Sequence, residues 1–208
     1  MNVIFASILL IAGLTSVEPH GYLKSPLART SIFREPRFNT TMPYWWDDTG
    51  VWCGNDPQDL QYSTCGRCGD AQRGTTANQG GYYDKGVITA TYESGSRITV
   101  TVDITAAHYG FFALELCPQQ FETDGCFEKL SIFSGSRIRR KGTICVGIDS
   151  QEITANVQLP AGVTCKRCTL RWTYRTSYGE VQGDPDWDPC FNRKPAQTFR
   201  NCADIEIK

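Results

Sequence analysis

Residues 97–104 read RITVTVDI, and this stretch decides the fold class because apolar and polar side chains alternate along its whole length. The apolar positions are Ile98, Val100, Val102 and Ile104. A period of two places these side chains on one face of an extended strand, where they can pack against a core. The stretch therefore predicts a β-strand that is buried on one face.

Other short segments of the same kind surround this stretch and are separated by turn residues. We expect further strands over residues 87–92, 111–116, 130–133, 153–159, 170–174 and 203–208. Many short strands of this kind are typical of an all-β sandwich of two packed sheets. Residues 20–84 show no sustained period and are rich in Gly, Pro, Trp, Tyr and Cys, so long loops tied by disulfides are expected there.

The composition limits the classes of partner. The chain has 208 residues, of which 40% are apolar, and 21 basic residues balance 22 acidic ones. This length and apolar content suit one domain with a substantial core. A near-zero net charge without runs of like charge excludes a strongly basic nucleic-acid binder and a polybasic membrane binder. We therefore expect no nucleic-acid partner and no membrane partner.

The amino terminus resembles a secretion signal. Residues 3–14 form an uncharged apolar run, VIFASILLIAGL, which is too short to span a bilayer. We expect residues 1–19 to be removed as a signal peptide, which leaves a secreted, extracellular chain of residues 20–208. In a secreted chain the pattern Asn39-Thr40-Thr41 predicts a glycosylated Asn39 on an exposed loop.

The cysteine count supports the same compartment. Ten cysteines are an even number, which indicates an oxidising environment and up to five disulfides. The two C-x-x-C pairs could instead form a four-thiolate zinc site, but secretion and their separation of about a hundred residues favour disulfides. The connectivity stays open at this stage. The cysteines expected to be bridged are Cys53, Cys65, Cys68, Cys117, Cys126, Cys145, Cys165, Cys168, Cys190 and Cys202.

The chain contains only two histidines, His20 and His108. Removal of residues 1–19 would make His20 the amino terminus, where its α-amine and its imidazole Nδ1 can chelate one metal ion. His108 follows the strongest predicted strand, at a position where an abrupt strand end could aim an imidazole at the surface. An amine with two imidazoles is an all-nitrogen set that suits Cu(II). The alternative is that His20 is a coincidence of processing and His108 a half-buried structural histidine.

Other chemistries have weaker support. The sequence has no G-x-S-x-G elbow and no Gly-rich phosphate loop, and nothing nominates a carboxylate pair for glycoside hydrolysis. Tyr44, Trp45 and Trp46 could stack on sugar rings and bind substrate, because aromatic faces suit apolar sugar faces. Core packing or loop anchoring is the alternative for each of these aromatic residues.

Several motifs together resemble a known family, the lytic polysaccharide monooxygenases of auxiliary activity family 15. These motifs are His20-Gly21, Trp52-Cys53-Gly54, Cys65-Gly66-Arg67-Cys68-Gly69-Asp70, Ile104-Thr105-Ala106-Ala107-His108, and residues 197–205, QTFRNCADI. Their order and spacing carry the resemblance. The chain departs from the family pattern at Phe33, Ala107, Thr198 and residues 175–179.

The resemblance implies an immunoglobulin-like or fibronectin-like β-sandwich with a flat copper-bearing face. It implies that His20 and His108 form a copper-binding histidine brace, that Phe199 takes the buried axial position, and that Ala106 packs beside the other axial position. We therefore expect residues 20–208 to form a single catalytic copper monooxygenase domain and to act as a monomer.

The implied activity is oxidative cleavage of a crystalline polysaccharide, with chitin as the first choice and cellulose as the second. It needs copper, an external electron donor, small-molecule or protein, and dioxygen or hydrogen peroxide. The product is a chain hydroxylated at C1 or C4. Two rival functions remain: a secreted copper carrier or sensor, and a non-catalytic polysaccharide-binding module.

Overall fold

A computed structural model of the chain describes residues 20–38, 41–53, 65–70, 74–137, 139–140, 142–178, 190 and 194–208. Within these residues the chain forms eleven β-strands and one short 3-10 helix, Arg29–Arg34. The strands are β1 (His20–Ser25), β2 (Ala90–Tyr92), β3 (Arg97–Ala106), β4 (Phe111–Cys117), β5 (Glu128–Lys129), β6 (Ser131–Gly135), β7 (Arg139–Arg140), β8 (Thr143–Cys145), β9 (Gln151–Gln158), β10 (Cys165–Tyr178) and β11 (Lys194–Ile207).

The strands form two sheets. One has the order β1-β3-β9-β6, and the other has the order β2-β11-β10-β4-β8-β7 with β5 paired to β4. All pairs are antiparallel except that of β2 with β11. The predicted all-β sandwich is confirmed.

The core lies between the two sheets. The alternating residues of β3, Ile98 to Ile104, are all buried, as the period of two predicts. They belong to one apolar cluster with Trp172 of β10 and Leu114 of β4 in the other sheet. Burial of these large side chains supplies most of the favourable free energy of a fold of this size.

The region predicted to consist of loops contains regular structure as well. β1 reads HGYLKS and pairs with β3, and the 3-10 helix follows it. A six-residue edge strand with a bulge after His20 is too short and irregular to show a period in the sequence. The prediction of loops alone over residues 20–84 is therefore wrong for residues 20–25 and 29–34, which form β1 and the 3-10 helix.

All ten cysteines are paired, as Cys53–Cys65, Cys68–Cys202, Cys117–Cys126, Cys145–Cys190 and Cys165–Cys168. The two C-x-x-C pairs therefore do not form a four-thiolate zinc site. Cys68–Cys202 joins the loop region to β11 across 134 residues, and a loop of this length gains much order from covalent closure.

Residues 1–19 and Asn39, with the predicted signal peptide and the predicted glycosylation site, lie outside the described residues. Within the described part of the chain, no helix is long and apolar enough to cross a membrane.

Candidate metal centre

The sheet register places the two histidines at one end of the sandwich. β1 runs antiparallel to β3, and His20, the first residue of β1, lies opposite Ala106, the last residue of β3. His108 follows Ala106 by two residues and belongs to the connection from β3 to β4. Both histidines are partly exposed. The start of one strand and the end of its neighbour therefore bring both imidazole-bearing residues to the same edge of the four-stranded sheet.

The backbone after His108 turns sharply. Tyr109 has φ +50° and Gly110 has φ +82°, so two consecutive residues adopt left-handed conformations. The Tyr109 amide donates to the Gly147 carbonyl at 2.9 Å, and the His108 carbonyl accepts from the Ser177 amide at 3.0 Å. A non-glycine residue in this conformation is uncommon and is held by its surroundings, which marks the turn as a position where geometry is constrained.

A buried tyrosine hydroxyl holds this turn from inside the sandwich. The Tyr174 Oη accepts from the His108 backbone amide at 3.2 Å and donates to the Tyr109 carbonyl at 2.7 Å. Burial raises the pKa of Tyr174 well above its usual value and outweighs the opposing effect of the His108 amide. The hydroxyl therefore keeps its proton and acts as donor and acceptor at once.

A carboxylate lies beside the imidazole of His20. The Oδ1 atom of Asp47 is 3.5 Å from the His20 Nε2. The turn that carries Asp47 is fixed to β1, because the Gly21 amide donates to the Thr49 carbonyl at 2.7 Å. Sequence reasoning missed Asp47, since no motif connects an aspartate in an irregular loop to a histidine 27 positions earlier.

Phe199 is buried beneath this edge. It lies opposite Tyr174 in the β10–β11 ladder, and the two ring centroids are 6.1 Å apart. Two residues along β11, the Asn201 side-chain oxygen accepts from the Leu23 amide of β1 at 2.9 Å. Phe199 therefore belongs to a strand that contacts β1 and lies next to the tyrosine that holds the His108 turn. Its side chain offers no donor atom to a metal ion.

Two of the departures from the family pattern contact each other next to Phe199. The Arg175 Nη1 donates to the Thr198 Oγ1 at 2.8 Å, and both residues are buried. Their contact could not be predicted from the sequence, because the two residues lie on different strands that pair in the fold.

The three predicted sugar-binding aromatics do not share one environment. Tyr44 and Trp46 are 69% and 81% exposed. Trp45 instead stacks on Tyr83, with ring centroids 4.6 Å apart, and packs against the buried Cys68–Cys202 pair. Trp45 therefore anchors the loop, while its two neighbours face solvent. Tyr82, which sequence reasoning did not single out, is also 63% exposed.

Two other features of the described residues do not compete as metal or substrate sites. Cys68, Glu122 and Cys202 cluster closely, but both sulfurs belong to one disulfide and offer no thiolate. A cavity of about 400 Å³ is lined by residues that include Leu116, Leu159 and Val163. It lies near the start of β3, at the opposite end of that strand from His108, because Gln158 pairs with Arg97.

Comparisons with known proteins show which family the chain resembles. The family described as "lytic polysaccharide mono-oxygenase, cellulose-degrading" matches residues 20–205. The lytic polysaccharide monooxygenase of auxiliary activity family 15 from Thermobia domestica, solved in the Cu(I) state, is 35% identical, with a TM-score of 0.73, over 90% of this chain and 98% of that one. No curated protein matches the sequence significantly.

More distant structures share the fold. A chitin-binding domain from Burkholderia pseudomallei is 10% identical, with a TM-score of 0.54, over 92% of this chain and 100% of that one. A cellulose-active lytic polysaccharide monooxygenase in complex with copper is 14% identical, with a TM-score of 0.54, over 90% of this chain and 98% of that one. The family match over nearly the whole described chain and the similarity to the Thermobia domestica enzyme show that this chain belongs to the lytic polysaccharide monooxygenases, as a copper-dependent monooxygenase of the auxiliary activity family 15 type that acts on polysaccharide.

Proposed function

We propose that His20 and His108 hold the copper ion and that the enzyme is secreted with His20 as its first residue. One observation carries this proposal: the antiparallel pairing of His20 with Ala106 brings the chain's two histidines to one edge. The donor set fits copper, because imidazole nitrogens suit Cu(II). The cysteines, which would compete as soft ligands, are all in disulfides.

The proposed amino terminus is supported by the family comparison, in which the match begins at residue 20. Removal of residues 1–19 as a signal peptide would free the α-amine of His20 next to its Nδ1, so that one residue supplies two nitrogen ligands. Residues 20–208 would then be a single secreted domain that works as a monomer, with Asn39 as its glycosylation site.

Each residue around the proposed centre has a distinct task. A bound copper ion supplies one-electron redox chemistry, which with an external electron donor and dioxygen or hydrogen peroxide hydroxylates C1 or C4 of a sugar chain. His20 and His108 hold the ion at the edge of the sheet. The hydrocarbon ring of Phe199 and the small side chain of Ala106 would line the site without supplying a ligand atom.

The substrate is proposed to be a crystalline polysaccharide, chitin before cellulose. The exposed rings of Tyr44 and Trp46 offer apolar faces for stacking on sugar rings, and the stacked Trp45 supports the loop that carries them. This loop contacts His20 through Asp47, so sugar-binding and metal-binding residues would lie on neighbouring parts of one surface.

The test combines processing, copper binding and product analysis. Intact mass of the secreted protein should give a chain that begins at His20. Copper-loaded protein with ascorbate should release oxidised oligosaccharides, detected by mass spectrometry, from chitin more than from cellulose. The same products identify oxidation at C1 or C4.

The variant His108→Ala separates the proposal from its rivals. We expect copper affinity to fall by orders of magnitude and oxidised products to vanish, because the amine and His20 alone are too few ligands. β-sheet circular dichroism and much of the adsorption to polysaccharide should remain, since His108 is partly exposed. A binding module or a copper carrier would show no oxidised products even as wild type. Wild-type product yield from the variant would overturn the assignment of His108.

A further inference from the structure

We infer that Asp47 positions His20 for metal binding by accepting a hydrogen bond from its Nε2. This inference rests on the proposed function, in which His20 binds copper through its amine and Nδ1. The Asp47 Oδ1 lies 3.5 Å from Nε2, the ring nitrogen that such chelation does not use. Metal-binding histidines commonly donate their second ring N–H to a carboxylate, which fixes the tautomer and makes the ligating nitrogen more basic.

The loop around Asp47 is built to present this carboxylate. The Gly50 amide donates to the Asp47 carbonyl at 3.1 Å, which closes a tight turn. A Cβ atom at Gly50 would overlap the Asp47 carboxylate, so glycine leaves the space that the carboxylate occupies. The turn is therefore shaped around the side chain of Asp47 as well as around its backbone.

Two further contacts fix the turn relative to His20. The next residue, Asp48, is buried and accepts from the Arg34 Nε and Nη2 at 2.6 Å each. The Thr49 carbonyl accepts from the Gly21 amide, one residue after His20. A bidentate Arg–carboxylate pair has a defined geometry. The turn that carries Asp47 is thus bonded on one side to Arg34 of the 3-10 helix and on the other to Gly21 of β1. These contacts fix the position of the Asp47 carboxylate relative to the imidazole.

Holding the imidazole matters because β1 bulges between His20 and Gly21. Once residues 1–19 are removed, His20 would be an amino-terminal residue beside a bulge, where the backbone orients a side chain less strictly than in the middle of a regular strand. A carboxylate on Nε2 restricts rotation of the ring and keeps the Nδ1 lone pair available for the metal. Asp47 is a positioning residue in this scheme, since it acts through His20 and not on the substrate.

The test compares Asp47→Ala and Asp47→Asn with a matched control, each prepared as the chain of residues 20–208. Cu(II) is titrated into the protein to give the Kd, and the spectrum is recorded on the copper-loaded form. Asp149→Ala removes the same charge from an exposed loop, where Asp149 contacts Arg137. We expect Asp47→Ala to raise the Kd for Cu(II) about 10- to 100-fold and to change the electron paramagnetic resonance spectrum of the bound ion. Asp47→Asn keeps an acceptor oxygen and should give an intermediate Kd, while Asp149→Ala should bind as wild type does.

The outcomes separate the inference from the proposed function. If the wild type binds no copper, or if His108→Ala binds copper as tightly as the wild type does, the proposed function fails. If the wild type binds copper and both Asp47 variants keep its Kd within twofold and its spectrum, the positioning role of Asp47 is wrong. An equal loss of affinity in Asp149→Ala would show a general charge effect and would also overturn the inference. The conservative Asp47→Asn keeps the test valid if Asp47→Ala fails to fold.

Discussion

Three residues stabilise the left-handed turn after His108, each in a different way. Gly110 is required because a Cβ atom there would overlap the Arg175 carbonyl, and because its φ of +82° strains any other residue. Tyr109 bears the strain of a positive φ, and the Tyr174 hydroxyl bonds its carbonyl. The position of His108 is thus set by contacts that residues of the seven-stranded sheet make with the backbone of the turn, and these residues lie far from the histidine in the sequence.

Tyr174→Phe should loosen this turn without changing the shape of the core. The variant loses the acceptor for the His108 amide and the donor to the Tyr109 carbonyl. We expect the free energy of unfolding to fall by ~1–3 kcal/mol, measured by denaturant unfolding, and the Kd for Cu(II) to rise. Tyr92→Phe, which removes a hydroxyl from edge strand β2, should leave copper affinity unchanged. Unaltered copper affinity in Tyr174→Phe would contradict the role of Tyr174 in holding His108.

Sequence reasoning could select His20 and His108 because the chain has no other histidine. It could not predict the contacts of Asp47 and Tyr174, since these depend on one turn and on the register of β10 with β4 and β11. Both contacts join residues that are distant in sequence, and neither residue type is unusual at its position.

At the scale of elements, the alternating pattern predicted strands where one face meets the core and the other meets water. It located β3 well, but it predicted only residues 170–174 of β10, which spans Cys165–Tyr178. The reason is that the outer face of β10 is buried as well. Its polar residues Arg171 and Thr173 are covered, and the Arg171 guanidinium lies 3.7 Å from the centroid of Phe127.

The loop over residues 74–86 illustrates how irregular structure is ordered here. The Asp84 carboxylate accepts from the amides of Gly80 at 2.6 Å and Gly86 at 3.0 Å, and it contacts Arg167 of β10. Burial opposes ionisation of Asp84, but these amides and Arg167 together outweigh burial and lower its pKa below the ordinary value.

The lowered pKa of Asp84 predicts loss of stability in acid. A group with a folded pKa below its unfolded value of about 3.9 contributes stability above that pH and loses it as the pH falls through the folded pKa. Hydrogen exchange of the Gly80 and Gly86 amides should therefore accelerate as the pH falls below about 4, after correction for the intrinsic rate. Asp84→Asn should exchange faster at neutral pH and show a weaker pH dependence. The same pH dependence in both proteins would show that Asp84 is not the responsible group.

At the scale of the whole molecule, a buried charge network joins the helix, the loops and the seven-stranded sheet. Arg29 donates from Nε and Nη2 to both oxygens of Asp204 at 2.8 and 2.6 Å, and its Nη1 lies 3.0 Å from Glu122. Arg167 also donates to Asp204 at 3.1 Å. Burial opposes the charge of Arg29, but the two carboxylates outweigh burial and raise its pKa. In the sequence each of these residues resembles a surface charge, so the network could not be predicted.

This network explains how a chain with so many loops keeps one structure at the edge that carries His20 and His108. Asp204 and Phe199 lie on the same strand, β11, and Arg29 lies in the helix that follows β1. The contact of Arg29 with Asp204 therefore fixes the segment after His20 to the strand that carries Phe199. Together with the Asn201 contact to Leu23, it joins the two sheets through polar groups that have defined geometry.

Asp204→Ala should be among the most destabilising single substitutions in this protein. Removal of one partner leaves Arg29, whose side chain is 1% exposed, with a buried charge that Glu122 only partly compensates. Breaking a buried pair in this way costs about 3–5 kcal/mol, a large part of the ~5–15 kcal/mol that holds a typical domain folded.

The matched control for this substitution is Asp124→Ala. It removes an ion pair with Arg67 in which the aspartate is 88% exposed, and it should change the free energy of unfolding by less than about 1 kcal/mol. Denaturant unfolding of both variants with intact disulfides measures the difference. Asp204→Asn keeps one acceptor oxygen and should lie between them, which provides a measurable protein if Asp204→Ala does not fold. Equal losses for Asp204→Ala and Asp124→Ala would mean that packing and disulfides, and not the buried charges, hold the helix to β11.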